Sequence, residues 1–274
     1  MSDPARVSSA AALLIGSELL TGKIRDENGH QLAVFLRRHG IALGEMCTVP
    51  DARDVIMRAL RRLAGAHDMV FTSGGVGPTH DDVTLDVISQ AFGRPRVRDA
   101  AMEAVVRSND RRYLARDDPA LRMADLPAGT RLLHDDRWPV LRIDLEPEYR
   151  AKLYVLPGVP SLFVAKLDAL AAQVGELPTG PGWHLESIET DLDEALLTPH
   201  LHALLAAHPE IEIGSYPRWH PGADGRPQLV VRVTLEAERA QSAAVTTATL
   251  ALARRLRADG AMVKPQPSSS DAHR

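Results

Sequence analysis

The stretch Phe71-Thr-Ser-Gly-Gly-Val-Gly-Pro-Thr-His-Asp-Asp-Val-Thr84 decides the fold of this chain. The apolar run that ends at Phe71 leads into a turn with three glycines in four positions, and apolar residues then recur at helical spacing from Val83 to Ala91. This pattern predicts a strand, a glycine-rich loop and a helix. Glycines let backbone N–H groups approach a ligand closely, at the positive end of a helix dipole. The stretch therefore predicts a site for an anionic ligand.

Two adjacent carboxylates, Asp81 and Asp82, follow the glycines. Because they would repel a bare phosphate, a bound divalent cation or a proton to be moved is their natural complement. The alternative is a tight turn in which the aspartates only cap the helix. Three glycines, a proline, two threonines and two aspartates within eleven positions favour a functional loop.

Composition and charge exclude several classes of function. The chain has 274 residues, a net charge of −4 and a pI near 6.3, which gives no basic surface for nucleic acid. No apolar run reaches the roughly 20 residues of a membrane span. The single cysteine, Cys47, excludes an internal disulfide and is typical of a reducing compartment. We expect a cytoplasmic protein with a small-molecule ligand and neither a nucleic-acid nor a membrane partner.

Predicted strands and helices alternate through the first half of the chain. Strands are predicted at 10–15, 41–49, 67–72 and 153–156, and helices at 28–39, 51–65, 83–92, 99–116 and 161–174. This order indicates a mostly parallel sheet with helices on both faces. Ligands bind such sheets at the carboxyl ends of the strands, where residues 16–18 and 73–82 both fall. The turn Pro157-Gly-Val-Pro160 is structural if taken alone, but beside the glycine loop it becomes a candidate second wall of one pocket.

The pattern changes after a glycine- and proline-rich linker at 175–182. A β-α-β-β-α order follows and predicts a small α+β domain, with two helices on one face of an antiparallel sheet. The predicted domains are 1–175 and 183–265. The polar tail 266–274 is expected to be disordered.

Four motifs carry a family resemblance. Gly16-Ser-Glu-Leu-Leu-Thr-Gly22, followed by Ile24-Arg-Asp-Glu-Asn28, resembles the first signature of the MoaB/Mog-like molybdopterin-binding family, and more specifically the N-terminal part of CinA proteins. The loop from Gly74 to Thr84 is similar to the second signature. Its His80, together with Leu156-Pro-Gly-Val-Pro160 and Ile213-Gly-Ser-Tyr-Pro217, resembles the molybdopterin-binding-like domain of FAD synthases. The resemblance covers roughly residues 8 to 265.

The resemblance implies a three-layer α/β/α first domain, a KH-like second domain and a homodimer or homotrimer. The implied ligand is a nucleotide or pterin phosphate such as molybdopterin. The implied activity is metal-dependent hydrolysis of a dinucleotide pyrophosphate of the ADP-ribose or FAD type. Binding without turnover and adenylyl transfer to molybdopterin are the alternatives.

The same resemblance assigns roles residue by residue. Asp82, Asp81 and Asp26 are the implied catalytic residues, and Asp81 with Asp82 would hold a divalent metal (Mg, Mn, Co or Ni). Asp81 stands where Mog-type proteins typically have arginine, which favours hydrolysis over transfer. The implied substrate-binding residues are Gly16, Ser17, Glu18, Asn28, Ser73, Gly74, Gly75, Gly77, Pro78, Thr79, Thr84, Pro157 and Gly158.

Two further stretches bear on the metal. The family usually carries a glutamate within two residues of the Pro-Gly-Val-Pro turn, and this chain has Ser161 and Leu162 there. His134, Asp135 and Asp136 are candidate metal ligands in its place, although a solvated polar turn is the better explanation of this stretch.

Overall fold

A computed structural model describes residues 9–109, 115, 118–133, 138–173, 175–178, 182–221 and 227–266. The chain divides into two compact units, Met1–Gly180 and Pro181–Arg274. Within the described ranges, no helix is both long enough and apolar enough to cross a membrane.

The first unit alternates strands and helices. In chain order its elements are β1 (Ser9–Ile15), α1 (Ser17–Leu20), α2 (Asn28–Arg38), β2 (Ala42–Val49), α3 (Arg53–Ala66), β3 (Met69–Ser73), α4 (Thr84–Ala91), β4 (Arg96–Arg98), α5 (Ala100–Asn109), a 3-10 helix (Pro119–Ala124), β5 (Asp125–Pro127), β6 (Thr130–Leu133), β7 (Val140–Asp144), β8 (Lys152–Leu156) and α6 (Pro160–Ala171).

The main sheet has six strands in the order β2-β1-β3-β8-β7-β6. The pairs from β2 to β8 are parallel, and β7 and β6 continue the sheet in antiparallel pairing. Alternate residues of each strand enter two separate cores. Leu13 and Val70 pack with α3 and α4 on one face, while Ala12 and Phe71 pack with α2 and α6 on the other. The predicted three-layer α/β/α fold with a mostly parallel sheet is therefore confirmed.

Two features of this unit were not predicted. The strands β6 and β7 add an antiparallel edge to the main sheet, and β4 pairs with β5 in a separate two-stranded sheet. The helix predicted at 99–116 is described only as α5, which ends at Asn109. Residues 134–136, the alternative metal ligands, lie outside the described residues.

The second unit is a small α+β domain. Its elements are β9 (Trp183–Thr190), α7 (Glu194–Ala207), β10 (Glu212–Pro221), β11 (Pro227–Glu238), a 3-10 helix (Arg239–Gln241), α8 (Ser242–Ala258) and β12 (Val263–Gln266).

The sheet of this unit is antiparallel, in the order β10-β11-β9-β12. Alternate residues of β11 pack with α7 and α8 in one core, so both helices cover the same face, as the β-α-β-β-α pattern predicted. The polar tail was predicted to begin at Gln266, but this residue is the last of the additional strand β12. Its side-chain Nε2 donates to the Glu189 carboxylate at 2.8 Å. Residues 267–274 lie outside the described residues.

Candidate functional site

A cavity of about 1090 Å³ opens where the four parallel strands of the main sheet end. The strands β1, β2, β3 and β8 are neighbours in the sheet, and their carboxyl ends lead into the segments that begin at Gly16, Pro50, Gly74 and Pro157. This is the edge at which parallel sheets bind ligands.

Many of the predicted site residues line this one cavity. They are Glu18, Asp26, Asn28, Ser73, Gly74, Gly75, Gly77, Asp81, Asp82, Pro157 and Gly158. The structure thus brings together three motifs that are far apart in the sequence.

The glycine loop is shaped by two residues with positive φ, Gly74 (φ 103°) and Gly75 (φ 66°). A Cβ on Gly74 would lie inside 3.0 Å of the Ile15 carbonyl oxygen, and one on Gly75 would lie as close to the hydroxyl of Thr84. The Gly74 N–H donates to the carbonyl of Leu156 at 3.2 Å and is therefore used by the sheet edge. The amides of Gly75 and Gly77 are the better candidates to contact a ligand.

Asn28 joins the three motifs. Its Nδ2 donates to the Ser73 Oγ at 2.9 Å and to the Gly158 carbonyl oxygen at 2.7 Å, and the Ser73 hydroxyl donates to the Pro157 carbonyl at 3.3 Å. Asn28 is only 5% exposed, and its Oδ1 has no partner among the described residues. Because a buried unpaired acceptor is costly, this oxygen is suited to a hydrogen-bond donor supplied from outside the chain.

Residues 78–82, which we call the aspartate loop, are held together by hydrogen bonds of Thr79. The Asp82 carboxylate accepts from the Thr79 N–H at 2.8 Å and from its hydroxyl at 2.6 Å. The same hydroxyl also lies within hydrogen-bond distance of the Asp81 carboxylate and holds the pKa of that carboxyl below its ordinary value. Asp81 is therefore a weak base and suited to act as a permanent anion.

Asp26 has a structural role that the sequence motif did not reveal. Its carboxylate accepts from the N–H groups of Asn28 and Gly29 at 3.1–3.2 Å and so satisfies the first turn of α2. Although Asp26 reaches the cavity wall, these bonds already engage both of its oxygens. This geometry favours a helix cap over the predicted catalytic role.

Five predicted binding residues do not line the cavity: Gly16, Ser17, Pro78, Thr79 and Thr84. The N–H of Gly16 continues the sheet by donating to Val49, and the N–H of Ser17 donates to the Asp51 carboxylate at 2.8 Å. Thr84 is fully buried, and its hydroxyl donates to the Gly74 carbonyl at 2.9 Å. The bonds of Gly16, Ser17 and Thr84 are made within the wall, and a contact between these five residues and a ligand stays a prediction.

The structure also adds residues to the cavity that the sequence did not suggest. Asp51 was predicted to begin a helix, yet it lies on the wall, and its position two residues after the end of β2 was the available signal. Met123, Trp138 and Lys166 come from segments without a motif. Lys166 is 5% exposed, donates to the Trp138 carbonyl, and has its pKa lowered by desolvation.

The charge of the described wall is strongly negative. Its ionisable residues are the acids Glu18, Asp26, Glu27, Asp51, Asp81 and Asp82 and the bases Arg25 and Lys166. A phosphate-bearing ligand placed against this wall would need additional positive charge.

The described wall has no preformed cage for a divalent cation. Within the described ranges, no group of three or more His, Cys, Asp or Glu residues is arranged to hold a metal. Asp81 and Asp82 nevertheless lie side by side on the wall, and Mg²⁺ is commonly held by one or two carboxylates together with substrate phosphates. The pair fits a cation that arrives with the ligand better than a resident ion in a protein cage.

The fold and the cavity define an α/β ligand-binding domain, with its site at the carboxyl edge of a parallel sheet. Comparison with known families specifies it further. The family described as "Probable molybdopterin binding domain" matches residues 11–176, and the chain belongs to that family. The family described as "FAD synthase, middle domain" matches residues 182–264. The predicted family is confirmed.

Two of the relatives are a probable FAD synthase and a CinA-like protein. A probable FAD synthase of Caenorhabditis elegans is 32% identical over 76% of this chain and 44% of its own length. A CinA-like protein of Mycolicibacterium vanbaalenii is 34% identical over 66% of this chain and 41% of its own length. This chain thus spans less than half of either relative.

One solved structure supports the fold of the first unit. It is the protein CinA of Thermoplasma acidophilum, described as having unknown function, with a TM-score of 0.55 and 27% identity. The match covers 61% of this chain and 98% of that protein.

Proposed function

We propose that the cavity binds a nucleotide pyrophosphate together with a divalent cation and that the chain hydrolyses the phosphoanhydride. The observation that carries this proposal is the pairing of a glycine loop with Asp81 and Asp82 on one wall. A glycine loop suits phosphate oxygens, whereas adjacent carboxylates repel them. A divalent cation between the phosphate oxygens and the carboxylates would remove this repulsion.

The size and lining of the cavity support a dinucleotide-sized ligand. Its volume of about 1090 Å³ is at the upper end of ordinary small-molecule pockets. Its wall combines the glycine loop with the apolar side chains of Ile24, Met123, Trp138 and Leu162. Such a wall suits a molecule with a charged centre and planar, less polar ends, such as ADP-ribose or FAD.

Different residues have different roles in the proposed hydrolysis. The amides of Gly75 and Gly77 hold phosphate oxygens, and Asn28 fixes the glycine loop against the Pro157–Gly158 turn. A carboxylate of the aspartate loop accepts a hydrogen bond from the attacking water and orients it towards phosphorus. The water forms a new P–O bond, the bridging P–O bond breaks, and the proton lost by the water passes to the products or solvent.

A divalent cation, when bound, would neutralise the pyrophosphate and polarise its P–O bonds, with Asp81 and Asp82 as the residues that would hold it. The Thr79 hydroxyl lowers the pKa of Asp81, so this carboxyl would compete for a cation down to lower pH than an ordinary aspartate.

Binding without turnover is the second candidate. It is favoured by Leu162, which stands 51% exposed on the wall at a position where a glutamate is expected in this family. Adenylyl transfer to molybdopterin is less favoured, because Asp81 replaces the arginine expected for that reaction.

One screen separates these functions. The purified protein is incubated with ADP-ribose, FAD, NAD or ATP in the presence of Mg²⁺, Mn²⁺, Co²⁺ or Ni²⁺, and release of AMP is measured. We expect AMP from ADP-ribose or FAD, loss of that activity in Asp82→Asn, and retention in the matched surface variant Asp54→Asn. Saturable binding without AMP would favour the second candidate. Labelling of molybdopterin with AMP, in a separate incubation that contains molybdopterin and ATP, would favour the third.

A further inference from the structure

Arg122 is a cationic residue that reaches the aspartate loop from a distant segment. It lies in the 3-10 helix Pro119–Ala124. Its Nη1 donates to the Thr79 carbonyl oxygen at 2.7 Å and its Nη2 to the Asp82 carbonyl oxygen at 3.2 Å. One guanidinium thus holds both ends of the turn that presents the carboxylates.

These bonds differ in kind from those within the loop. The Thr79 hydroxyl and the backbone bond from the Asp82 N–H to the Thr79 carbonyl (3.3 Å) fix the shape of the loop. The bonds from Arg122 fix its position on the domain. A planar guanidinium can hold two carbonyls at once, which a point-like ammonium does less well.

Arg122 is itself held in place by Asp86 of α4. Its Nη2 lies 3.6 Å from the Asp86 carboxylate, which also pairs with Arg96 and, at 3.2 Å, with Arg53. Arg96 in turn donates to the Arg122 carbonyl at 3.0 Å. The guanidinium is therefore oriented by neighbours that do not belong to the cavity wall.

We propose that Arg122 is a positioning residue that sets Asp81 and Asp82 against the glycine loop. The consequence for the cation rests on the proposed function, whereas the tether of the loop can be tested without it.

Hydrogen exchange measures the tether directly on the full chain. In Arg122→Gln we expect the hydrogen-bonded amides of Thr79, Asp82 and Thr84 to exchange about tenfold faster, which corresponds to about 1.4 kcal/mol of lost protection. Arg122→Lys should lie between this variant and the wild type. Arg53→Gln is the matched control, since Arg53 pairs with Asp86 without contacting the loop. Unchanged exchange in Arg122→Gln, or equal loosening in Arg53→Gln, would overturn the tether.

Mn²⁺ affinity, measured by electron paramagnetic resonance with ADP-ribose present, tests the positioning role. We expect about tenfold weaker binding in Arg122→Gln, partial recovery in Arg122→Lys or with added methylguanidinium, and no change in Arg53→Gln. A loosened loop with unchanged Mn²⁺ affinity would overturn the positioning role. If the wild type binds no Mn²⁺ and releases no AMP, the proposed function and the positioning role both fail, and the exchange data still decide whether Arg122 tethers the loop.

Discussion

Replacing Gly74 by alanine should disrupt the site through the backbone. At φ 103° a Cβ is strained, and it would also lie inside 3.0 Å of the Ile15 carbonyl oxygen, which belongs to a buried strand and cannot move cheaply. Backbone strain costs about 1–2 kcal/mol, and overpacking typically adds 1–3 kcal/mol. We expect Gly74→Ala to lower the free energy of unfolding of the first unit by about 3 kcal/mol.

Gly93→Ala is the matched control. Gly93 also has positive φ (62°), but a Cβ there meets nothing within 4 Å, so only the backbone term remains. Its net cost should be about 1 kcal/mol, because alanine also restricts the unfolded chain.

Urea unfolding followed by tryptophan fluorescence measures this difference. Of the three tryptophans, Trp138 lies in the first unit, and replacing Trp183 and Trp219 by phenylalanine makes the signal specific to it. Equal destabilisation by the two alanine variants, within about 0.5 kcal/mol, would show that the close approach of the glycine loop to β1 has no energetic weight.

Three further predictions concern the wall of the cavity. Asn28→Ala should cost about 1–3 kcal/mol in urea unfolding, because the Gly158 carbonyl loses its donor, and an unchanged unfolding midpoint would contradict this. Thr79→Val should raise the pKa of Asp81 towards its ordinary value near 3.8. Because only the ionised carboxylate binds a cation, the loss of Mn²⁺ affinity on acidification should begin at higher pH than in the wild type, and coincident pH profiles of the two proteins would refute this prediction. Leu162→Glu should strengthen Mn²⁺ binding severalfold, because it adds a carboxylate to the cavity wall. Leu250→Glu, at an exposed position of the second unit, should not change Mn²⁺ binding, and equal effects of the two variants would contradict a specific role of the cavity in Mn²⁺ binding.

The sequence predicted those parts of the fold whose patterns are local. The path from β3 through the glycine loop into α4 was evident because burial, glycine content and helical spacing all change within a few residues. The strands β6 and β7 were missed because Arg131, Arg142 and Asp144 interrupt their apolar pattern. Arg142 is buried all the same, since Glu176 accepts from it at 2.8 Å and Asp144 pairs with it. Such compensation depends on tertiary contacts.

In the site, too, local patterns were predicted from the sequence and tertiary contacts were not. Motifs located the glycine loop, Asn28 and the aspartates, but a motif does not say which side chains face a ligand. Asp26 caps a helix, and the Thr84 hydroxyl donates to the Gly74 carbonyl of the glycine loop. Both roles follow from hydrogen bonds that only the folded chain makes. Lys166 and Arg122 had no local signal, because their positions depend on how distant segments pack.

The most direct test of the pyrophosphatase proposal is a ³¹P NMR time course of ADP-ribose with the wild-type protein and Mg²⁺. We expect the diphosphate resonances to be replaced by the monophosphate resonances of AMP and ribose phosphate, and to persist in Asp82→Asn. With Mn²⁺, Co²⁺ or Ni²⁺ in place of Mg²⁺, the reaction is followed by release of AMP. The claim that this cavity hydrolyses a nucleotide pyrophosphate would be contradicted if the diphosphate resonances persist with the folded wild-type protein and no AMP is released with any of these metals.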